Sequence, residues 1–191
     1  NTSGRPSPTE AAHVAEDLSG KIAMIIDGGP VGIGIESTII DLTEDTPMVL
    51  RPGYITPQML SKVLGKEVII DPGIIAADDT RKPKAPGMKY KHYAPKADMA
   101  IVDGTRKHVI AKINELVASH RDDGKKIAVI ATEETKQFYD ADVVLSMGSR
   151  ADEDSIAHEL YRILRDCDEL DVDVIFSESF STPRIGQAIM N

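Results

Sequence analysis

Met99-Ala100-Ile101-Val102 stops at Asp103-Gly104-Thr105, after which Val109, Ile110, Ile113, Leu116 and Val117 recur at helical spacing before Gly124. The same alternation continues downstream. Ile127 to Ile130 reads as a buried strand, Glu133 to Tyr139 as a short helix and Val143 to Met147 as another strand. Ile156, Leu160, Ile163, Leu164 and Cys167 then trace a second long helix, and Val174-Ile175-Phe176 a fourth strand. Strands that alternate with helices are joined by right-handed crossovers into a parallel sheet covered on both faces. Residues 98–191 are therefore predicted to form a Rossmann-like parallel-sheet domain.

Upstream, the pattern differs. Pro6-Ser7-Pro8-Thr9 is a rigid turn, with Thr9 the expected N-cap of a helix over about 10 to 18 and Gly20 just past its end. Ile22 to Ile26 is expected as a strand ended by Asp27-Gly28-Gly29-Pro30. Ser37 to Leu42 is expected as a second strand and Met48 to Arg51 as a third, stopped by Pro52-Gly53, with a short helix over Pro57 to Leu64. Residues 1–71 thus read as the end of one α/β domain. From 72 to 97 Pro, Gly, Asp and Lys dominate, the composition of a linker, yet Tyr90, His92 and Tyr93 stand close together there. Aromatic side chains in an exposed loop need a surface to pack on.

Bulk properties exclude several classes. A net charge of -9 would repel a phosphate backbone, so stable nucleic-acid binding is not expected. With one cysteine, Cys167, there is no intramolecular disulfide and no thiolate metal site, which favours a reducing cytoplasm. Cys167 itself reads as a core filler on its helix. No run of ~18 apolar residues offers a membrane span, and Asn1-Thr2-Ser3-Gly4 lacks the apolar stretch of a signal peptide. His13, His92, His108, His120 and His158 are scattered without ligand spacing, so no metal site is expected. Because the chain starts without Met in an apparent loop and stops at Gln187-Ala188-Ile189-Met190-Asn191 inside an apparent helix, it is expected to be a fragment.

Chemistry-bearing residues gather in the first part. Ser3, Ser7, Ser37, Thr38 and Arg51 stand at turns or strand ends, where α/β folds place their sites. Each also has a structural reading: Ser7 as a turn former, Ser37 as a strand hydroxyl, Arg51 as an ion-pair partner. Gly32-Ile33-Gly34 lacks the third glycine and the strand–helix context of a dinucleotide fingerprint, which argues against a nicotinamide oxidoreductase. A turn into the following strand is the expected role of this stretch. The second domain carries no Walker-type glycine-lysine loop, so a non-catalytic regulatory or partner-binding module stands as the alternative to an enzyme.

Four motifs narrow the choice. Asn1-Thr2-Ser3-Gly4-Arg5-Pro6-Ser7-Pro8-Thr9 resembles the end of a Ser-Ala-Asn-x-Ser-Gly-x-x-Ser-Pro-Thr motif. Gly34-Ile35-Glu36-Ser37-Thr38-Ile39-Ile40-Asp41 is similar to a Glu-Ser-Thr strand, and Leu50-Arg51-Pro52-Gly53 to an Arg-Pro-Gly turn. Ala85-Pro86-Gly87-Met88-Lys89-Tyr90-Lys91-His92-Tyr93-Ala94-Pro95 is close to a Ser-Pro-Gly-Met-x-x-x-His-Tyr-Ala-Pro linker. In this order and at these separations they resemble the long, two-domain form of the YrdC family, the threonylcarbamoyl-adenylate synthases. Gly186 to Asn191 also looks like that family's final helix, cut before its usual Arg-Leu, and the family's Lys-x-Arg motif would lie upstream of Asn1.

The resemblance implies an enzyme that joins L-threonine, bicarbonate or CO2, and ATP into threonylcarbamoyl-AMP and pyrophosphate with Mg2+ assisting. Downstream transferase proteins would then place the group on tRNA. By the same resemblance Ser7 and Arg51 contact ATP, Asn1 belongs to the Ser-x-Asn nucleotide motif and Ser37 holds threonine. The linker, residues 72–97, would cross the catalytic cavity and offer Lys89, His92 and Tyr93 for nucleotide contact and water exclusion, although these residues could equally anchor it to a domain surface. The chain by itself is expected to be inactive.

Overall fold

A computed structural model of the protein describes residues 4–35, 37–75, 94–180 and 186–190. Its helices are α1 (Ala11–Leu18), α2 (Pro57–Leu64), α3 (Pro72–Ile75), α4 (Arg106–Asp122), α5 (Glu153–Glu169) and α6 (Gly186–Met190). Its strands are β1 (Ile39–Asp41), β2 (Met48–Arg51), β3 (Ile69–Ile70), β4 (Asp98–Val102), β5 (Ile127–Ala131), β6 (Val143–Ser146) and β7 (Val174–Glu178). The chain divides into two compact units, residues 1–34 with 93–180 and residues 35–92 with 181–191.

The first unit contains the expected parallel sheet, in the order β4-β7-β5-β6 with every pairing parallel. Every residue of β5 and β7 is buried, as continuous apolar runs require when both faces of a sheet are covered. On one face Ile127, Val129 and Ala131 of β5 pack with Val174 and Phe176 of β7 and with Val109, Ile113 and Val117 of α4. By strand alternation Ala128, Ile130 and Ile175 face the other side, and all three are fully buried. The buried stripe of α5, Ile156, Leu160, Ile163, Leu164 and Cys167, is the one its spacing predicts. Asp152 caps α5 by accepting from the amides of Asp154 at 3.2 Å and Ser155 at 3.4 Å, and Glu153 and Asp154 put negative charge in the first turn.

Three local expectations in this unit are corrected. Ile22 to Ile26 forms no strand; Met24 is 76% and Ile26 89% exposed, because an apolar run pairs only where a neighbouring strand offers its ladder. Thr9 does not cap α1. Glu10 occupies the N-cap without a side-chain bond, while buried Thr9 turns its hydroxyl and its amide to His13 Nδ1, at 3.3 and 3.2 Å. Glu133 to Tyr139 contracts to a single 3-10 turn, Lys136–Phe138, whose entry is set by the Thr132 and Thr135 hydroxyls 2.9 Å apart.

In the second unit β1 pairs antiparallel with β2, and β2 pairs parallel with β3. Helix α2 has the predicted bounds: Thr56 accepts from the Met59 amide at 3.3 Å, Pro57 fills the first helical position, and Gly65 closes the helix at φ 64°. Among the described residues no helix is long and apolar enough to cross a membrane.

Candidate functional site

Two of the sequence-predicted residues are joined in the second unit. Arg51 is the last residue of β2 and lies opposite Ile39 of β1 across the antiparallel ladder. That register brings the guanidinium beside the residues just ahead of β1: Arg51 Nε donates to the Ser37 carbonyl at 3.0 Å and Nη2 donates to Ser37 Oγ at 2.8 Å. Two donors of one rigid fork held by a single residue fix both the position and the plane of the charge. The neighbouring Thr38 hydroxyl donates to the Ile55 carbonyl at 2.7 Å, which ties the turn after Pro52-Gly53 to the same strand. Ser37 is exposed and Arg51 half-buried, so the pair keeps contact with solvent. It can present a fixed positive charge and a hydroxyl to a polar, anionic ligand.

Ser7 lies in the first unit, half-buried, in the segment that precedes α1. The peptide leading into it is held from α5. Arg165, whose side chain is wholly buried, donates to the Pro6 carbonyl from Nε at 3.0 Å and from Nη2 at 2.7 Å. Asn1, Lys89, His92 and Tyr93 lie outside the described residues.

Reasoning from the sequence did not find Arg165. Its signal was present, since Tyr161, Arg165 and Asp168 share a helical face with i, i+4 and i+7 spacing, and a charged residue amid the apolar stripe of α5 is the anomaly to follow. A second group was also missed, at the carboxyl edge of the parallel sheet. Glu178, 2% exposed, accepts from the Tyr139 hydroxyl at 2.7 Å and from Arg150 Nη2 at 2.6 Å. Burial and the adjacent carboxylate push the Tyr139 hydroxyl far up from its ordinary value. Nearby, Ser149 Oγ donates to Glu134 at 2.5 Å, and that bond together with the Arg150 amide holds the Glu134 carboxyl down at about 2. These groups satisfy one another. Among the described residues, no group of three or more His, Cys, Asp or Glu could hold a metal ion.

The sequence model described as threonylcarbamoyl-AMP synthase, C-terminal domain, matches residues 55–191. The chain belongs to this family. A second family model, described as telomere recombination, matches residues 1–53. Among whole proteins, the chain is similar to threonylcarbamoyl-AMP synthase of Bacillus subtilis (strain 168), 46% identical over 191 residues, which cover all of this chain and 53% of that protein. It is 48% identical over 192 residues to threonylcarbamoyl-AMP synthase of Pyrococcus abyssi (strain GE5 / Orsay), covering all of this chain and 54% of that one. A crystal structure of P. abyssi Sua5 complexed with L-threonine superposes with a TM-score of 0.87 at 46% identity, again over all of this chain and 54% of the other. The chain therefore spans about half the length of the synthases it matches. The α/β fold, with its parallel second sheet, agrees with that structure.

Proposed function

We propose that the chain is part of a threonylcarbamoyl-AMP synthase, which joins L-threonine, bicarbonate or CO2, and ATP into threonylcarbamoyl-AMP and pyrophosphate. The observation that carries this reading is the likeness along the whole chain to two proteins named as such synthases, at 46% and 48% identity. Supporting it locally, the Arg-Pro-Gly and Glu-Ser-Thr motifs meet in one hydrogen-bonded pair, Arg51 with Ser37.

In this reading the threonine amine adds to CO2 to give a carbamate. A carbamate oxygen then forms a bond to the α-phosphorus of ATP as the bond to the β-phosphate bridging oxygen breaks, and pyrophosphate leaves with the negative charge. Such a transfer needs positioning and charge neutralisation rather than a covalent nucleophile. Arg51 supplies a permanent, planar positive charge to the phosphates. Ser37 holds threonine and, through its bond to Arg51, links the amino-acid and nucleotide sites. Ser7 and Asn1 contact ATP, and Lys89, His92 and Tyr93 act on the nucleotide from the linker. The described residues provide no carboxylate cage for Mg2+. Mg2+ is assigned to the phosphates of the substrate, where it would neutralise charge alongside Arg51.

In linear order we assign residues 1–71 to the catalytic domain, 72–97 to the linker and 98–191 to the Rossmann-like domain, although the two family matches adjoin earlier, at residues 53 and 55, and the compact unit with the parallel sheet also takes in residues 1–34. The product passes to transferase proteins acting on tRNA in the cytoplasm. The test is pyrophosphate release by the full-length protein with threonine, bicarbonate and ATP, and identification of the adenylate by mass. Release that depends on threonine is expected, with none from the 191-residue chain alone. A full-length protein that binds neither ATP nor threonine by calorimetry would be a non-catalytic module instead.

A further inference from the structure

Stretches distant in sequence converge on α5 within one unit. From the segment before α1 comes the Pro6 carbonyl, held by two N–H groups of Arg165. From α1 come Asp17, 2.8 Å from Arg165 Nη2, and Glu16, 3.1 Å from Nη1. One turn further along α5, Asp168 accepts from the Lys96 amide at 2.7 Å and from Arg5 Nη2 at 3.4 Å, and Arg5 Nη1 reaches back to Glu16 at 2.8 Å and Asp17 at 3.2 Å. Arg165 and Asp17 side chains are both 0% exposed.

Buried ion pairs give little net stability over apolar residues of the same volume, because desolvation offsets most of the attraction. What such a pair does provide is geometry. The carbonyl that Arg165 grips belongs to the peptide between Pro6 and Ser7, so the guanidinium fixes the plane from which the Ser7 side chain springs. The Pro6 carbonyl belongs to a buried residue, and a buried arginine spending two of its five donors on it satisfies and orients the segment.

We infer that Arg165 of α5 is a positioning residue for ATP, holding the Pro6–Ser7 peptide so that the Ser7 hydroxyl meets the nucleotide. This rests on the synthase reading and on Ser7 as an ATP contact. Without the grip, the peptide samples other orientations and the hydroxyl contact is lost for part of the time, which affects ATP more than threonine.

The experiment is steady-state pyrophosphate release by the full-length protein, comparing wild type with Arg165→Met/Asp17→Leu. Replacing both members of the pair by apolar residues avoids leaving one buried charge without the other while removing the grip on Pro6. The expected result is a KM for ATP raised by about tenfold, equivalent to about 1.4 kcal/mol, with KM for threonine near wild type. An unchanged KM for ATP overturns the inference, as does an equal rise in both KM values, which marks a general distortion. Should the double variant not accumulate as folded protein, Arg165→Lys is read by the same split, since an ammonium keeps the charge but not the two-donor grip. Wild-type protein without threonine-dependent release overturns the synthase reading itself. Ser7→Ala with wild-type KM for ATP removes Ser7 from the nucleotide site, and this inference with it.

Discussion

Replacing Ser37 by alanine tests whether the pair formed with Arg51 is a working unit. Sequence reasoning expects Ser37→Ala to weaken threonine binding and leave ATP nearly untouched. The structure changes that expectation, because Arg51 is held by two bonds to this one residue, Nε to the carbonyl at 3.0 Å and Nη2 to the hydroxyl at 2.8 Å. The substitution deletes the second and leaves the first. A hydrogen bond from a charged donor is worth about 1.5 to 3 kcal/mol when buried, and solvent contact at an exposed serine reduces that to about 1 kcal/mol. Ser37→Ala should therefore raise KM for ATP by roughly fivefold through a loosened Arg51, besides its direct effect on threonine. Arg51→Ala removes the charge itself, a loss of about 2 to 4 kcal/mol in transition-state stabilisation, and should lower turnover by roughly thirtyfold to a thousandfold. Arg51→Lys should recover only part, because the planar fork is gone. The decisive arm is the double variant assayed for pyrophosphate release in the full-length enzyme with each substrate varied in turn. On the Arg51→Ala background, Ser37→Ala should have no further effect on ATP, a coupling of about 1 kcal/mol. Strict additivity of the two substitutions on KM for ATP would refute the reasoning, and near-normal turnover by Arg51→Ala would reduce Arg51 to a structural residue.

Further expectations can be checked on stability and reactivity. A β-carbon at Gly34 would sit 2.1 Å from the His158 carbonyl oxygen, where the Gly34 amide already donates to the Ala157 carbonyl at 2.8 Å and the Gly34 carbonyl accepts from Tyr161 at 3.1 Å. Because helix backbone cannot yield cheaply, Gly34→Ala should cost at least about 2 kcal/mol in a thermal or urea melt, and an unchanged midpoint would contradict this docking. The Glu134 carboxyl, lowered from 4.5 to about 2 by the Ser149 hydroxyl first of all, contributes stability that is fully present above pH 4.5 and is lost as pH falls through about 2. Glu134→Gln should flatten the fall in stability over that window, and a curve parallel to wild type would show that the bond contributes nothing. Burial and the neighbouring Asp166 and Asp168 push the Cys167 thiol up to about 12. At pH 8 a thiol reagent should react only as fast as the protein unfolds, and rapid stoichiometric labelling of the native protein would refute the burial.

The second half of the chain was legible because its signals are local and mutually consistent. All-apolar strands such as Ile127 to Ala131 and a helical stripe such as Ile156 to Cys167 can be satisfied only by a sheet covered on both faces, and the parallel sheet follows. Helix α2 was readable to the residue, since Thr56, Pro57 and Gly65 act through neighbours a few positions away. The run Ile22 to Ile26 carries the same apolar signal and yet forms no strand, because pairing depends on a partner that periodicity cannot supply. Motif residues likewise named Ser7, Ser37 and Arg51 by type and order without saying what holds them. That Arg51 rests on Ser37 depends on the register of β1 against β2, and that Arg165 grips the peptide before Ser7 depends on a contact between residues 159 positions apart. Tertiary structure alone decides such pairings, because the hydrogen bond is set by distance in space while the sequence records only distance along the chain.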